Sequence, residues 1–397
     1  MLRKNVSGLT LALLVSLLVA VVPVFAQNGP KKWTVMVYMD ADNNLDGAGM
    51  NDIFEMQTIG SSSDVDVVVL LDRWHEMCGF NGSAILHVQA GGNITVWGGW
   101  SDDYELNMGD PETLTWFINY TFENRPADRY ALILWDHGGN WEGICWDWTN
   151  DDYLTMEEIK DALAKSVVDK IDLLGFDACL MGSIEVAYTM KLSGKAGVMV
   201  ASEDSIPWDG WPYDMILGDL VQTPSCDERQ FSIDIVDRYV ASYSNIGWCK
   251  VFSTLSAIDL TQIEGTISRL TTLTEELLIN FDSHKDAITG AKNRADRYWF
   301  GMWHQGPYID LHHFVQGLGR IEDDLRLYTD PILGTWNDLV IYSKCSAGPH
   351  NRGGEGLTIY FPRNRNYFYT PEPYYESVPE FAQKTCWNTL LATYFEK

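Results

Sequence analysis

The sequence predicts an α/β protein, a three-layer αβα sandwich whose mostly parallel sheet has helices on both faces. Three observations support this fold class. Apolar runs rich in β-branched residues recur between residues 33 and 202, segments of helical character separate them, and polar clusters follow several of the runs. Strands that are covered on both faces have nearly continuous apolar sequences, and repeated β-α-β units form parallel sheets with right-handed crossovers.

The elements up to residue 135 begin with a strand that ends in a polar cluster. Residues 33–39 (WTVMVYM) are apolar, and the sequence DADNNLDGAG follows them. Proline is favoured in the first turn of a helix, so Asp110-Pro111 indicates a helix start. The predicted order is strand 33–39, helix 47–59, strand 65–71, hairpin region 84–97, helix 110–123 and strand 130–135.

The same alternation continues to residue 202 and then loosens. Thr155 and Glu158 have the spacing of a capping box, which predicts a helix from there to about residue 170. We expect next a strand over 171–176, a helix over 182–192 and a strand over 196–202. Beyond residue 226 the expected elements are helices near 227–244, 261–290 and 320–343, and strands near 250–258 and 356–361.

The chain of 397 residues is strongly acidic, with 28 Lys and Arg against 55 Asp and Glu and a formal net charge of −27. Most of this surface would repel a phosphate backbone, so nucleic acid is not expected as a partner. Basic peptides and metal ions are favoured instead.

The first 26 residues have the pattern of a secretory signal. Arg3 and Lys4 precede an apolar run over residues 9–22, and Val24-Phe25-Ala26 places small residues before a cleavage point. We expect a mature, secreted or extracytoplasmic chain that starts near Gln27. The alternative is an uncleaved anchor, because the run nearly reaches spanning length. No stable membrane association is expected after cleavage.

The chain has seven cysteines: Cys78, Cys145, Cys179, Cys226, Cys249, Cys345 and Cys386. Disulfide bonds are expected in an exported protein because the compartment is oxidising. The number is odd, so at least one thiol has no partner within the chain.

Reactive side chains follow two of the predicted strands. His137 comes after strand 130–135 and Cys179 after strand 171–176. Loops at the carboxyl ends of parallel strands converge at one edge of the sheet, so the thiol and the imidazole should meet there. An imidazole can deprotonate a thiol nucleophile, and the amides of Gly138 and Gly139 can stabilise an oxyanion. Taken singly, His137 could be a turn residue and Cys179 a buried thiol or half of a disulfide.

Five segments carry a resemblance to a known family. They are WTVMVYMDADNNLD (33–46), LWDHGGNWEGICWD (134–147), LLGFDACLMGSIEVAY (173–188), ASEDSIPWDGWPYD (201–214) and GLTIYFP (356–362), and together they resemble the clostripain family of cysteine peptidases. The resemblance implies a caspase-like sandwich, a His/Cys dyad and cleavage after Arg or Lys. It assigns the general base and acid to His137, the nucleophile to Cys179, and the oxyanion hole to the amides of Gly138 and Cys179.

This resemblance leads to two functional hypotheses. The first is a secreted cysteine endopeptidase that cleaves protein or peptide substrates after Arg or Lys through an acyl-enzyme. The alternative is a catalytically inactive, secreted peptide- or glycan-binding protein of the same fold. In either case we expect a signal peptide (1–26), a caspase-like catalytic domain (27–225) and a C-terminal α+β region (226–397) that packs on it and contributes strands.

A pocket for a basic side chain needs a carboxylate. Asp177 lies two residues before Cys179 and should project to the same side, so it is the best candidate. Glu203, Asp204 and Asp209 are weaker candidates, since loop carboxylates are commonly solvated. Asp136 should point away from His137, and no third, orienting residue can be named.

No cofactor is expected to be required, but the resembled family includes calcium-dependent enzymes. Asp147, Asp151 and Asp152 are a candidate calcium group, although capping of a loop would explain them too. Residues 40–46 (DADNNLD) alternate oxygen ligands but do not match an EF-hand, because Leu45 replaces the glycine. Zinc bound by Cys179 and His137 is disfavoured because neither has a second Cys or His at ligand spacing.

The loop after the expected catalytic histidine departs from the resembled family, whose members are often cut there at a basic residue. No Lys or Arg occurs between Arg129 and Lys160. We therefore expect a single chain that is not cut in this loop, or processing elsewhere.

Overall fold

The computed structural model describes residues 29–74, 82–99, 104–244, 253–300, 304–346, 353–365 and 376–396. The expected signal peptide, Cys78 and Cys249 lie outside these residues. The strands are β1 (Lys31–Ala41), β2 (Val65–Arg73), β3 (Ala84–Gln89), β4 (Asn93–Gly99), β5 (Ala127–Trp135), β6 (Ile144–Asp147), β7 (Asp152–Leu154), β8 (Ile171–Asp177), β9 (Ala196–Ala201), β10 (Thr254–Asp259), β11 (Arg297–Phe300), β12 (His304–Asp310), β13 (Val340–Cys345) and β14 (Thr358–Tyr360).

Helices connect and cover these strands. They are α1 (Asp46–Ile59), α2 (Pro111–Asn124), α3 (Met156–Lys165), α4 (Ile184–Leu192), α5 (Tyr213–Gln222), α6 (Glu228–Ser244), α7 (Ile263–Ile279), α8 (Phe281–Arg294), α9 (Leu311–Ile321), α10 (Arg326–Leu333), α11 (Trp336–Leu339), α12 (Pro379–Thr385) and α13 (Trp387–Glu396).

The main sheet has the order β13-β10-β9-β8-β5-β1-β2-β3-β4. The five central strands, from β9 to β2, pair in parallel, and the strands outside them pair antiparallel. The predicted αβα sandwich is therefore confirmed. Two smaller sheets, β11-β12-β14 and β6-β7, lie outside the main one.

The central strands are apolar along their length because both faces of the sheet are covered. In β1, Met36 and Tyr38 pack into one core, and Val35 and Val37 pack into another on the opposite face. Helices α2, α3, α4 and α7 cover the first core, and α1, α5 and α6 cover the second. Alternate strand residues point to opposite faces, so the two cores share one run of sequence.

The predicted helix starts are confirmed by their caps. The Asp110 side chain accepts a hydrogen bond from the backbone N–H of Glu112 over 2.8 Å, with Pro111 in the first turn of α2. At the start of α3 the Thr155 hydroxyl accepts from the N–H of Glu158, and the Glu158 carboxylate accepts from the N–H of Thr155. Each cap satisfies amides that have no partner within the helix.

Several predicted helices have different bounds. The helix expected to reach residue 170 ends at Lys165, and the helix expected over 261–290 is divided at Asn280 into α7 and α8. The helix expected over 320–343 is wrong in its last part, where residues 340–345 form β13. Pro331 and Gly334 limit helix α10, and the β-branched and aromatic residues after them pair with β10 instead.

The C-terminal region adds β10 and β13 to the main sheet and also reaches the loop after Cys179. The backbone N–H of Thr358 in β14 donates to the carbonyl of Gly182 over 2.9 Å. The N–H of Tyr360 donates to the Glu185 carboxylate over 2.8 Å. These bonds fix the segment between Cys179 and α4.

The expectation of disulfide bonds is wrong for the part of the chain that the structure describes, in which no two cysteines are joined. Cys145, Cys179, Cys226 and Cys386 are free thiols. Cys145 is buried in the core on one face of the sheet, whereas Cys226 packs against the core on the other face, so these two cannot meet. Among the described helices, none combines the length and apolar character needed to cross a bilayer.

Candidate active site

The ends of β5 and β8 bring the two reactive loops together. These strands pair in parallel up to Trp135 and Asp177, so the residues that follow leave the sheet side by side. Gly138 allows their close approach, because a Cβ atom at this position would lie 2.3 Å from the carbonyl oxygen of Cys179. The expectation that His137 and Cys179 share one edge of the sheet is thus met.

Both residues line the same cleft, which has a volume of about 130 Å³. Its walls come from the ends of β5 and β8 and from the loop after β9, and they include Trp135, His137, Asp177, Cys179, Ile206 and Trp208. The Trp208 side chain is 58% exposed at this site. An apolar cleft with a few converging polar groups is typical of a binding site.

The thiol of Cys179 forms hydrogen bonds with the backbone of Ile206, in the opposite wall of the cleft. Its Sγ accepts from the N–H of Ile206 over 3.2 Å and lies 3.7 Å from the carbonyl oxygen of Ile206, to which it donates. Burial raises the pKa of Cys179 to about 11, despite the hydrogen bond from Ile206. The Cys179 side chain is therefore a protonated thiol in the free protein at neutral pH.

His137 is half-buried and hydrogen-bonded to a loop that follows β1. Its Nε2 lies 2.9 Å from Oδ1 of Asn44. An amide oxygen is an acceptor, so Nε2 carries the hydrogen and Nδ1 is left as the basic nitrogen. Burial lowers the pKa of His137, which keeps the imidazole neutral at pH 7. This is the protonation state that a general base needs.

Asp136 does not orient His137, as the alternation of strand side chains predicts. Its carboxylate accepts from Nδ2 of Asn43 over 2.7 Å and from the backbone N–H of Trp146 over 2.6 Å. These bonds fix Asn43 in the loop after β1, and Asn44 is the next residue of that loop. Asp136 thus supports the partner of His137 and does not contact the ring itself.

The two residues whose amides are expected to form an oxyanion hole have backbones in contact. A Cβ atom on Gly138 would be 3.0 Å from the backbone nitrogen of Cys179, so the two backbones are in contact. In the described part of the chain, neither amide donates to a protein group. Unpaired amides next to the thiol can receive the negative oxygen of a tetrahedral intermediate.

Asp177 is buried in the wall of the cleft with one oxygen unused. Its Oδ2 accepts from the N–H of Trp211 and from the hydroxyl of Tyr213, each over 3.1 Å. Its Oδ1 is buried and, within the described residues, has no hydrogen-bond partner. A buried acceptor without a partner is costly, so this oxygen has the capacity to accept a hydrogen bond from a donor that enters the cleft.

A second buried carboxylate lies near Asp177. Asp52, on α1, accepts from Nε1 of Trp135 over 2.7 Å. A Cβ atom on Gly210 would be 3.2 Å from oxygens of both acids, which shows how closely they approach this glycine. Burial and repulsion by Asp177 raise the pKa of Asp52 to about 9, and burial raises the pKa of Asp177 to about 7. Asp52 therefore holds its proton to higher pH than Asp177 does.

The other expected specificity residues lie elsewhere. Glu203 and Asp204 are buried beside β10, and the backbone N–H of each donates to the Thr254 hydroxyl over 3.2 Å. Asp209 is exposed. None of these three is among the residues that line the cleft, so the structure brings Asp177 alone of the four candidates to it.

The three acids expected to bind calcium are not brought together. Asp147 is buried and accepts from two backbone amides, Asp151 is exposed, and Asp152 accepts from Nδ2 of Asn107. Asp147 instead lies with Asp42, Asp72 and Glu105, whose ligand oxygens are all within 4.8 Å of one another. Among the described residues, Cys179 and His137 belong to no group with metal-ligand spacing.

The sequence analysis missed three contributors to this site: Asn44, Asp52 and Ile206. Asn44 was detectable in principle, because the polar cluster after β1 neighbours β5 once the strand order is known. Ile206 acts through its backbone, and Asp52 lies within a helix, so neither has a sequence signal.

A thiol nucleophile with a neutral imidazole on the adjacent strand end, at the edge of a caspase-like sandwich, defines the class of cysteine hydrolases. The profile of the clostripain family matches residues 37–394. The chain therefore belongs to the clostripain family and is a cysteine peptidase.

The chain is also similar to individual proteins. It is 29% identical to clostripain from Hathewaya histolytica, over 92% of this chain and 81% of that protein. A solved structure of an inactive zymogen C11 protease from Parabacteroides distasonis has a TM-score of 0.68 at 20% identity, covering 90% of this chain and 99% of the other. A secreted C11 cysteine protease from Bacteroides thetaiotaomicron, in complex with an irreversible peptide inhibitor, has a TM-score of 0.65 at 20% identity, with the same coverage.

Proposed function

We propose that this cysteine peptidase is exported and cleaves peptide bonds after Arg or Lys, with Cys179 as nucleophile and His137 as general base and acid. One observation supports this specificity. Asp177 lines the cleft, and its buried Oδ1 has no hydrogen-bond partner among the described residues. A guanidinium or ammonium group would satisfy this oxygen and favour the ionised carboxylate.

Catalysis starts from the neutral pair. Nδ1 of His137 takes the proton of the Cys179 thiol as sulfur bonds to the scissile carbonyl carbon, and the carbonyl oxygen becomes negative. The amides of Gly138 and Cys179 donate to this oxygen. The intermediate then collapses: the C–N bond breaks, His137 gives its proton to the leaving amine, and an acyl-enzyme remains. Water, deprotonated by His137, hydrolyses the thioester and restores the thiol.

The Ile206 contact must be released before attack. In the free protein the thiol is bound to the backbone of Ile206, which belongs to the loop that also carries Trp208. A substrate that enters the cleft competes for this position because Ile206 and Trp208 line it. The loop between β9 and α5 thus couples the entry of substrate to the breaking of the hydrogen bonds between Ile206 and the Cys179 thiol.

Support for export comes from the signal pattern in residues 1–26 and from the description of the Bacteroides thetaiotaomicron relative as secreted. Expression of the full chain, followed by N-terminal sequencing of protein from the medium, tests this part. The expected mature terminus is Gln27. Recovery of the protein in the membrane fraction with Met1 intact would support the uncleaved anchor instead.

Hydrolysis of fluorogenic peptides tests the enzymatic part. Matched peptides ending in Arg, Lys, Asn and Asp before the reporter are compared for the wild type, Cys179→Ala and Cys226→Ala. Cys226 is a free thiol outside the cleft, so its replacement is the matched control and should keep full activity. We expect cleavage after Arg and Lys that is lost in Cys179→Ala. Activity that survives in that variant contradicts the dyad, and preference for Asp or Asn contradicts the role of Asp177.

A further inference from the structure

We propose that Asp310, His312 and His313 form a binding site for a zinc ion at the start of α9. Asp310 is the last residue of β12, and the two histidines lie in the first turn of the helix. One carboxylate oxygen of Asp310 and one ring nitrogen of each histidine lie within 4.8 Å of one another. None of the three residues lines the catalytic cleft, so this site is separate from the dyad.

His312 has a buried ring nitrogen without a partner. Its Nδ1 is inaccessible to solvent and has no hydrogen bond within the described residues. The ring packs against Trp336, with 5.2 Å between the ring centroids. Native proteins rarely leave a buried polar atom unsatisfied, because its lost hydration is not replaced. A metal ion bound to the lone pair of this nitrogen would replace it.

His313 faces carboxylates at distances that are too long for hydrogen bonds. Its Nδ1 lies 3.7 Å from Oδ1 of Asp310 and 3.5 Å from Oδ2 of Asp296. Hydrogen bonds between nitrogen and oxygen are about 2.7–3.2 Å long. Zinc binds such ligands tetrahedrally at about 2.0–2.2 Å, which places two of them about 3.3–3.6 Å apart. The observed separations are thus close to those of ligands that share one ion.

The other ring nitrogen of His313 has the kind of partner that metal-bound histidines have. Nε2 lies 3.7 Å from Oε1 of Glu355, on the side of the ring away from Nδ1. A histidine that binds a metal through one nitrogen commonly donates the hydrogen of the other to a carboxylate, which fixes the tautomer and the ring. Glu355 is placed to accept this hydrogen when Nδ1 binds the ion.

Asp310 is held in position without a metal. The residue is 0% exposed, and its Oδ1 accepts from the backbone N–H of His313 over 2.7 Å. Its Oδ2 accepts from the Tyr298 hydroxyl over 3.3 Å and from the N–H of Glu355 over 3.1 Å. A carboxylate has about four lone-pair sites, so these bonds leave Asp310 able to bind an ion as well.

A second buried carboxyl group lies near Asp310. Glu203 is 0% exposed, and neither of its side-chain oxygens has a hydrogen-bond partner within the described residues. A Cβ atom on Gly354 would be 2.5 Å from Oε2 of Glu203, and the next residue, Glu355, donates to Asp310. In the described part of the chain, no Lys or Arg forms an ion pair with Glu203 or Asp310. A bound cation would supply the missing counter-charge.

The donor set favours zinc over other metals. Two imidazoles and a carboxylate suit zinc and its transition-metal neighbours, whereas calcium and magnesium prefer oxygen ligands alone. Iron sites with two histidines and one carboxylate keep open positions for oxygen chemistry. Here Asp296 lies on the same side of His313 as Asp310 and can complete a closed set of four, which is the arrangement of a structural zinc site.

A zinc ion at this place would stabilise a small sheet that contacts both catalytic loops. The Tyr308 hydroxyl, in β12, donates to the backbone carbonyl of Gly139 over 3.3 Å. Strand β14 pairs with β12, and Thr358 in β14 donates to the carbonyl of Gly182. The ion would therefore act on the support of the active site and not within the cleft.

Zinc titration of the whole mature chain tests the site. The parent protein carries Cys179→Ala, so that the thiol of the cleft cannot compete for zinc. After removal of metals with EDTA, calorimetry with ZnCl₂ measures the number of ions and the affinity, and the visible spectrum of bound cobalt(II) reports tetrahedral coordination. X-ray absorption of the zinc-loaded parent identifies the ligand atoms without any further substitution.

Two variants and one control are compared in this background. His313→Gln is the main variant, because its side chain is 25% exposed and its replacement should not prevent folding. His312→Gln is the second. The control is Asp338→Asn, an exposed acid on α11, the helix whose Trp336 packs on His312. Circular dichroism in the absence of zinc checks that each protein is folded.

We expect one zinc per chain, an affinity at least about tenfold weaker in each histidine variant, and no change in Asp338→Asn. Zinc should raise the melting temperature of the parent and the control but not of the histidine variants. Absence of zinc binding by the folded parent at micromolar concentrations overturns the proposal, as does an unchanged affinity in both histidine variants. Sulfur among the zinc ligands also overturns it, since the ion would then lie on free thiols. These readouts measure binding, so they do not depend on the proposed cleavage specificity.

Discussion

Nε2 of His137 lies 2.9 Å from Oδ1 of Asn44, a residue 93 positions earlier in the chain. This hydrogen bond fixes the tautomer and the orientation of the ring, so that Nδ1 is available as the base. Asn44 comes from the loop after β1, the strand next to β5 in the sheet. It supplies the orienting group that the sequence could not identify, and it acts through His137 as a positioning residue.

Replacement of Asn44 should disturb the orientation of the His137 ring without affecting the binding of substrate. We expect Asn44→Ala to lower kcat roughly 10- to 100-fold with little change in KM, because Asn44 does not line the cleft. Asn44→Asp should retain the hydrogen bond but place a carboxylate beside the imidazole. This raises the pKa of His137, so the acid limb of the pH profile of kcat/KM should move to higher pH.

The control for this pair is Asn150→Ala, an exposed asparagine on a nearby loop. It should behave as the wild type in both kcat and the pH profile. A KM effect in Asn44→Ala equal to the kcat effect, or an unmoved acid limb in Asn44→Asp, would argue against a hydrogen bond to the catalytic ring.

The second prediction concerns the resting state of the nucleophile. Burial raises the pKa of the Cys179 thiol to about 11 and lowers that of His137, so the free protein holds a thiol and a neutral imidazole. Alkylation by iodoacetamide requires thiolate, so its rate should rise about tenfold per pH unit from neutral pH upward. A plateau of fast alkylation below about pH 7 would instead indicate a preformed thiolate–imidazolium pair.

The third prediction follows from the ionisation of Asp177. Burial raises its pKa to about 7, so the carboxylate is protonated below that pH and charged above it. A basic side chain binds the charged form, so KM for an Arg peptide should fall as the pH rises from about 6 to about 8 and then level off. Asp177→Asn should lower kcat/KM for this peptide about 10- to 100-fold, because a hydrogen bond to a charged group is lost. The same variant should remove the pH dependence of KM.

Asp209→Asn is the matched control, because Asp209 is an exposed acid on the loop that lines the cleft. Its KM profile should follow that of the wild type. If Asp209→Asn loses the preference for Arg while Asp177→Asn keeps it, the specificity carboxylate has been misassigned.

The fourth prediction is that active protein is not cut between residues 141 and 159. This segment has no Lys or Arg up to Lys160, and it folds into the β6-β7 hairpin with Ile144 and Leu154 buried. The turn between β6 and β7 is exposed, but it offers no Lys or Arg at which a basic-specific enzyme could cut. Mass spectrometry of active protein should find no terminus between residues 141 and 159, and a cut in that range would contradict the expectation.

The sequence predicts the sheet and the catalytic edge well because both depend on local patterns. Strands β1, β5 and β8 are nearly continuous apolar runs, and the strand-end rule then places His137 beside Cys179. Asp177 follows from the same rule. These features need no knowledge of the distant parts of the chain.

Contacts over long sequence separations explain what the sequence could not predict. The backbone amides of Glu203 and Asp204 donate to the hydroxyl of Thr254, about 50 residues away, and this contact holds both residues beside β10 and outside the cleft. The acid cluster joins Asp42 to Asp147 through the packing of two loops. Which asparagine of the cluster after β1 contacts His137 depends on a local turn, in which the Asn43 side chain accepts from the N–H of Leu45.

The last prediction concerns Asp52, whose carboxyl is buried beside Asp177. Burial and the charge of Asp177 raise its pKa to about 9, well above its value in an unfolded chain. The folded protein therefore binds this proton more tightly than the unfolded chain does. As a result, the free energy of unfolding decreases progressively as the pH rises from about 4 towards about 9. Asp52→Asn removes this penalty and retains an oxygen for Nε1 of Trp135.

Urea unfolding of Asp52→Asn and the wild type at about pH 5 and about pH 8 tests this account of Asp52. The gain in unfolding free energy should be small at the lower pH and grow by up to about 1.4 kcal/mol per pH unit, because one proton is involved. Asp151→Asn, an exposed acid, should change stability by less than about 0.5 kcal/mol at either pH. If Asp52→Asn instead loses stability equally at both pH values, Asp52 stabilises the fold as a charged group. Its burial next to Asp177 argues against that outcome.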